Sequence, residues 1–321
     1  MVVLAVFITL SSGFGQSKAQ DSNVVNGEPT LTLDAPIMAS ACTLEDTCLV
    51  LGSSSGTGTG VALGEVARGS TWKSLNIPAT NSATFQGGSC WTTGCIIYGS
   101  TINGDLLWRF RSATNVVTPL TPPTPSPAVE AVSCFSSNSC AIIDMGGGNS
   151  APQFFTTTNA GATWSTPTKT PFDATSLSCV TELECVATSK ASTWRTSDGG
   201  TNWKESTFTA GTLINLSCFN TSCVATDTNK AHSHVWRSSD SGKSWNSTAL
   251  IDKTFAFACL SDSRCVSAGQ TSTATGAVST ITGSSISELV VNYFPNPITT
   301  LACGKTRCVA GGLYSVALFK P

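Results

Sequence analysis

Residues 178–189 read "SCVTELECVATS": two cysteines six residues apart, a small residue before the first, and a short apolar run opening at the second. The same arrangement recurs as "CTLEDTC" (Cys42, Cys48), "CWTTGC" (Cys90, Cys95), "CFSSNSC" (Cys134, Cys140), "CVTELEC" (Cys179, Cys185), "CFNTSC" (Cys218, Cys223), "CLSDSRC" (Cys259, Cys265) and "CGKTRC" (Cys303, Cys308). These seven pairs use all 14 cysteines. Their first members are separated by 48, 44, 45, 39, 41 and 44 residues, a spacing that marks repeats of one structural unit. The residue before each first cysteine is Ser or Ala: Ala41, Ser89, Ser133, Ser178, Ser217, Ala258 and Ala302.

Each pair therefore brackets a tight turn between two strands, and further strands follow. In the fourth unit "ATSLSC", "CVATS", "STWRTS" and "WKESTF" give four strands in about forty residues. No helical periodicity interrupts them. Four short antiparallel strands, repeated seven times, predict an all-β fold: a seven-bladed β-propeller with one disulfide per blade. A small residue before the first cysteine fits an innermost strand that lines a crowded central channel. Stapling so short a hairpin contributes about 2 kcal/mol in the chain-entropy treatment.

The last unit ends one strand short, whereas "NVVNGEPTLTL" (23–33) precedes the first pair without a blade of its own. This segment is expected to form the outer strand of the seventh blade, joining the ends and removing open edges. A neighbouring molecule's segment could fill the same place and link chains into an assembly.

Residues 2–10, "VVLAVFITL", fit the apolar core of an export signal, so residues 1–19 are read as a signal peptide and 20–321 as the propeller. An even cysteine count agrees with an oxidising, extracellular location. Charged residues are only 11% of the chain against roughly 25% in ordinary soluble proteins, and the net charge is −2. Neither a nucleic-acid footprint nor a cationic membrane face is present.

Two octets stand out, "TSDGGTNW" (196–203) and "SSDSGKSW" (238–245), with "TTNAGATW" (157–164) as a third copy carrying Asn159 in place of aspartate. A worn copy, "VARGSTW" (66–72), has Ala67 at that position. The octets resemble the Asp-box of the BNR-repeat propellers, a superfamily with sialidase-like, sortilin-like and photosystem-assembly-factor-like members. The resemblance implies a turn between the third and fourth strands of a blade, away from the central mouth. Asp198 and Asp240 (Asn159 in the third copy) would bind backbone N–H groups of their own turn. Gly161, Gly200 and Gly242 would take a conformation other residues resist. Trp164, Trp203 and Trp245 would fold under the turn. These are structural tasks.

Enzymatic expectations find little support in the residues. The Arg-Ile-Pro motif of the sialidases is missing, and the chain has few arginines for a carboxylate-binding triad. Glu182 and Glu184 share one disulfide turn and read as solvated. His232 and His234 suggest at most a weak metal site without a carboxylate to complete it. No catalytic residue, metal or cofactor is expected. The reading that remains is a secreted, non-catalytic module binding a glycan or a protein partner, with a structural subunit and an Asp-box glycoside hydrolase as alternatives. Trp91, inside the second disulfide turn, and Trp108 are candidate sugar-stacking residues. Of three Asn-x-Ser/Thr sequons, Asn220 and Asn246 are expected to carry glycans, and Asn215, on an inner strand, is not. The proline-rich stretch 118–128 is expected to cross from blade two to blade three rather than form a strand.

Overall fold

The computed structural model describes residues 31–321, apart from 33–35, 54–61, 69–70, 76, 78–83, 102–103, 125–127, 146–150, 191, 208–210, 229–232, 250–252, 283–284 and 290–293. The expected signal peptide, His232 and Gly69 of the worn octet lie outside the described residues.

The described residues form seven four-stranded antiparallel sheets, one for each cysteine pair. The fourth is representative: Ser176–Cys179, Cys185–Ser189, Ser192–Thr196 and Lys204–Thr207, in that spatial order. The innermost strands are Ile37–Cys42, Thr84–Trp91, Val129–Cys134, Ser176–Cys179, Thr212–Phe219, Lys253–Cys259 and Ile298–Cys303. Each touches the next around a ring, and the seventh touches the first. The fold is a β-propeller.

Every disulfide joins cysteines five or six residues apart, and each pair is also a directly opposed pair in the sheet, as with Cys179 and Cys185. The ring closes through Leu31–Thr32, which pairs antiparallel with Ser315–Phe319 and completes the seventh sheet from this chain's own N-terminal side. A polar latch reinforces the seam. Asp46, in the first disulfide turn, accepts N–H bonds from Thr306 (2.8 Å) and Arg307 (3.2 Å) in the seventh, and the Thr306 hydroxyl donates to it at 2.6 Å.

One expectation is refined and another needs correction. The small residue before each first cysteine lines the central cavity, and in three blades its hydroxyl also bonds the next blade. Ser89 Oγ accepts the Cys134 N–H (2.9 Å), Ser133 Oγ that of Cys179 (2.8 Å) and Ser178 Oγ that of Cys218 (2.9 Å). In a propeller the sheets stand edge-on to the axis, so alternate side chains point to the flanking blades, and the seam between them demands smallness as well. The proline-rich stretch also begins inside a strand, since Val116–Leu120 includes Pro119 opposite Trp108. It is the outer strand of its sheet, the position where proline is tolerated.

The core lies between blades rather than within one sheet. Leu49 and Leu51 of the first blade pack with Phe85, Trp108 and Phe110 of the second, and the other seams repeat this pattern.

Candidate functional site

The octets come first, because the sequence singled them out. In the fourth blade Thr196 Oγ1 accepts the Gly200 N–H (3.0 Å) and donates to Asp198 Oδ1 (2.8 Å), which accepts the Asn202 N–H (2.9 Å). In the fifth, Ser238 Oγ accepts from Gly242 (2.8 Å) and donates to Asp240 Oδ1 (2.7 Å), which accepts from Ser244 (2.9 Å). The third blade repeats the network with a neutral amide: Thr157 Oγ1 binds Gly161 N–H and Asn159 Oδ1, and Asn159 Oδ1 accepts from Thr163, each at 2.9 Å.

Hydrogen bonds from the Asn202 backbone and side chain, then Thr196, hold the Asp198 carboxyl down at about 2. At Asp240 burial pushes upward, but bonds from Ser244, Ser238 and Lys243 outweigh it and leave the value at about 2. Such permanently ionised, self-satisfied carboxylates anchor turns and make poor proton donors.

Each octet also locks two blades together. Trp203 packs edge-on against Phe154 and Phe172 of the preceding blade, at centroid distances of 5.6 and 5.1 Å. Trp245 Nε1 donates to Thr193 Oγ1 of the fourth blade (3.0 Å), and Trp164 Nε1 to the Thr121 carbonyl (3.1 Å). Trp72, in the worn copy, is buried against Val309, Val316 and Leu318 of the seventh blade. The tryptophan thus lies between blades, not merely under its own turn.

Trp91 and Trp108 are buried, at 6% and 1% exposure, so neither can stack on a sugar. Trp91 lies back over Gly94, where an added Cβ would sit 2.5 Å from its ring, and joins the core between blades two and three. His234 does have a carboxylate beside it, contrary to expectation: buried Asp227 lies 3.3 Å from its Nδ1 and accepts N–H bonds from His234 (2.8 Å) and Trp236 Nε1 (2.9 Å). Among the described residues no group of three or more His, Cys, Asp or Glu side chains could hold a metal. Asn220 and Asn246 are exposed, whereas Asn215 is half-buried and donates to Thr226 Oγ1 at 3.1 Å. Glu182 and Glu184 are exposed, as read.

The feature that sequence reading missed is at the start of the inner strands. Six of the seven inner ladders slip by one residue at the same place, four positions before the first cysteine. The extra residues are Met38, Gln86, Glu130, Ile214, Phe255 and Thr299, and Thr175 takes the place in the unbulged fourth blade. A bulge re-aims the unpaired side chain and ends regular pairing beside it. All seven line the central cavity of about 830 Å³. Met38 and Phe255 are 41% and 37% exposed, high for large apolar side chains in a core-facing strand. Around the ring, Ile214, Phe255, Thr299 and Met38 form a mainly apolar arc, and Gln86, Glu130 and Thr175 a polar one. The disulfide turns surround the other mouth, at the far ends of the same strands.

Glu130 is held at both sides of its bulge. The Val129 N–H donates to Asp105 Oδ2 (2.6 Å), and the Tyr98 hydroxyl donates to the Glu130 carbonyl (3.0 Å). Burial, then the neighbouring Asp105 charge, raise the Glu130 carboxyl above its ordinary value. Burial likewise raises Asp105, against the Val129 bond and with the Asp144 charge. A second hollow, of about 660 Å³, lies between blades three and four. It is bordered by Trp194, Asp173, Lys190 and Glu205, with Trp194 stacked on Phe172 at 4.9 Å.

No protein-family model matches the sequence, and no curated protein matches it. Solved structures do match. The protein is similar to YCF48 bound to a D1 peptide (TM-score 0.65, 15% identity, covering 96% of this chain and 98% of that one). It is similar to the GH74 xyloglucanase of Xanthomonas campestris (TM-score 0.63, 7% identity, covering 91% of this chain and 55% of that one). The extracellular domain of a putative hybrid two-component system from B. thetaiotaomicron also matches (TM-score 0.59, 11% identity, 94% of this chain and 39% of that one). At these identities the likeness concerns the propeller fold alone.

Proposed function

We propose that this protein is a secreted, non-catalytic, seven-bladed Asp-box propeller that binds an extended segment of a protein partner in the bulge-ringed mouth of its channel. The observation that carries this is the sixfold recurrence of a bulge at one position. Bulges disrupt ladder bonding, and a device repeated in six sheets that aims Met38, Gln86, Glu130, Ile214, Phe255 and Thr299 into one opening suits recognition better than it suits stability. Exposed Met and Phe side chains favour a partner with apolar groups. The seven disulfides and the likeness to the extracellular domain of a putative two-component system favour a location outside the cell. That one similar propeller holds a peptide supports the same choice.

Selection of a random peptide-display library on the purified protein tests this. Binders should lose affinity for a Met38→Ser/Phe255→Ser double variant whose melting curve matches the wild type. Binders indifferent to that variant would overturn the assignment of the mouth.

A second reading keeps a glycan ligand and places it in the hollow between blades three and four. There Trp194 offers an aromatic surface beside Asp173, Lys190 and Glu205, the mixture that stacks on and hydrogen-bonds to sugars. A glycan array probed with wild type and Trp194→Ala decides it. The hydrolase alternative has its place in the same hollow, where two carboxylates border one space. Incubation with xyloglucan and other β-glucans should release no reducing ends; release abolished by Glu205→Gln would reinstate an enzyme.

A further inference from the structure

We infer that the polar arc of the mouth receives a cationic side chain, a lysine or arginine of the bound protein segment, on Glu130. This rests on the mouth-binding reading and specifies the chemistry of its occupant.

Charge complementarity argues for it. Among the described residues lining the central cavity Glu130 alone is charged, and no lysine or arginine of the described residues pairs with it. The rest of the lining is apolar, hydroxyl, amide or backbone. A solitary carboxylate with no counter-charge in such a lining attracts a cation, and Glu130 is exposed to receive one. Acidic Asp105, buried behind it with Oδ2 accepting the Val129 N–H, adds to the negative potential and does not line the cavity itself. Nucleic acid, sialylated glycans and acidic peptides are disfavoured by the same charges.

The position is also built. Asp105 fixes the backbone before Glu130 and Tyr98 fixes the carbonyl after it, so the carboxylate leaves the sheet from a clamped bulge. Tyr98 reaches that carbonyl only because residue 87 is glycine; a Cβ there would meet its hydroxyl at 2.8 Å. Gln86, on a flanking blade, can add a hydrogen bond to a guanidinium or ammonium group, whereas the Thr175 hydroxyl is already held by Thr188 and the Leu213 carbonyl. On the other side Ile214, Phe255 and Met38 would receive an apolar neighbour of the cation. The expected recognition element is therefore a basic residue adjoining a large aliphatic or aromatic one.

The test uses fluorescein-labelled peptides selected from the random library on the full-length protein, measured by fluorescence polarisation against wild type, Glu130→Gln, Thr175→Ala and Phe255→Ser. Glu130→Gln preserves shape and removes charge. The selected peptides should share a Lys or Arg beside a large apolar residue. Their affinity should fall about tenfold or more on Glu130→Gln, and also on Phe255→Ser, while Thr175→Ala stays within a few fold. Replacing the peptide's basic residue with citrulline or norleucine should reproduce the Glu130→Gln loss and show no further loss on that variant. Peptides that depend on Phe255 yet bind Glu130→Gln as tightly as wild type would overturn the cation and leave the mouth in place. Peptides indifferent to both substitutions would overturn the cation together with the mouth.

Discussion

Adding one methyl group to Gly200 should separate the two jobs of the octet, turning the chain and joining blades. Gly199 and Gly200 both lie in the left-handed region, at φ of 70° and 84°. A Cβ on Gly199 would meet its nearest neighbours at 3.5 and 3.6 Å, ordinary contact, whereas one on Gly200 would lie 2.4 and 2.8 Å from two ring carbons of Phe154. Phe154 belongs to the preceding blade, is 1% exposed and is wedged against Trp203, so it cannot swing aside. Gly199→Ala therefore carries conformational strain alone, about 1 kcal/mol. Gly200→Ala adds an overpacking cost of about 1–3 kcal/mol, giving roughly 2–4 in all. The molecule contains its own control: the places equivalent to Gly199 hold Ala160 and Ser241, already at φ of 55° and 58°, while the Gly200 place is glycine in all three octets. Gly161→Ala should rank next, since it meets a leucine methyl at 2.7 Å, and Gly242→Ala after it, meeting a valine methyl at 3.2 Å. Urea denaturation of the oxidised variants, followed by tryptophan fluorescence, measures the order. A Gly200→Ala loss no larger than that of Gly199→Ala would refute the claim that the octet works between blades.

Four further outcomes follow from the same geometry. Ser178→Ala should cost about 1–2 kcal/mol and speed hydrogen exchange at the Cys218 amide, because that N–H loses its acceptor; unchanged exchange there would show the bond to be dispensable. Asp198 and Asp240 should titrate at about 2 by carboxyl carbon NMR. Since their folded values lie below the unfolded one of about 3.9, their stabilisation is complete above that value and fades as pH falls towards 2; midpoints near 4 would contradict the turn network. Removing residues 1–32 should unpair Ser315–Phe319 and produce concentration-dependent oligomers in size-exclusion chromatography, whereas Asp46→Ala should only lower the melting temperature. Peptide mapping of protein from a eukaryotic host should find glycans at exposed Asn220 and Asn246 and none at Asn215; a glycan on Asn215 would mean that its strand forms after modification.

What could be read from the residues, and what could not, divides along a physical line. Cys179 and Cys185 mark a hairpin because a disulfide so short in sequence needs directly opposed strands, and seven such marks at a near-constant interval impose a ring. The octets announce their turns because Asp198 and Gly200 answer to local backbone geometry. Sequence was silent wherever a second blade decides the outcome. Ser178 lines the channel, but nothing in the sequence told that its hydroxyl also holds the Cys218 N–H of the next blade. Trp91 looked exposed until Gly94 was seen to give it room. The bulged residues share no chemistry, being Met, Gln, Glu, Ile, Phe and Thr, so composition could not reveal them. Only their common offset from the first cysteine ties them together, and the slip that creates them is a property of pairing.

The seven covalent links have a consequence for how the protein is made and how it can come apart. In every pair the second cysteine is the next to be synthesised after the first, so the correct bond can form before any competing thiol arrives. Oxidation then completes each blade's inner hairpin and stops there: no bond crosses a seam, and none spans the closure. Covalently the chain remains an open string of stapled hairpins. Circularity depends on the two paired residues Leu31 and Thr32, on Asp46 and on the packing of blade one against blade seven. The ring can therefore open and reclose at one seam with every disulfide intact, and a pull on the N-terminus would act first on that joint.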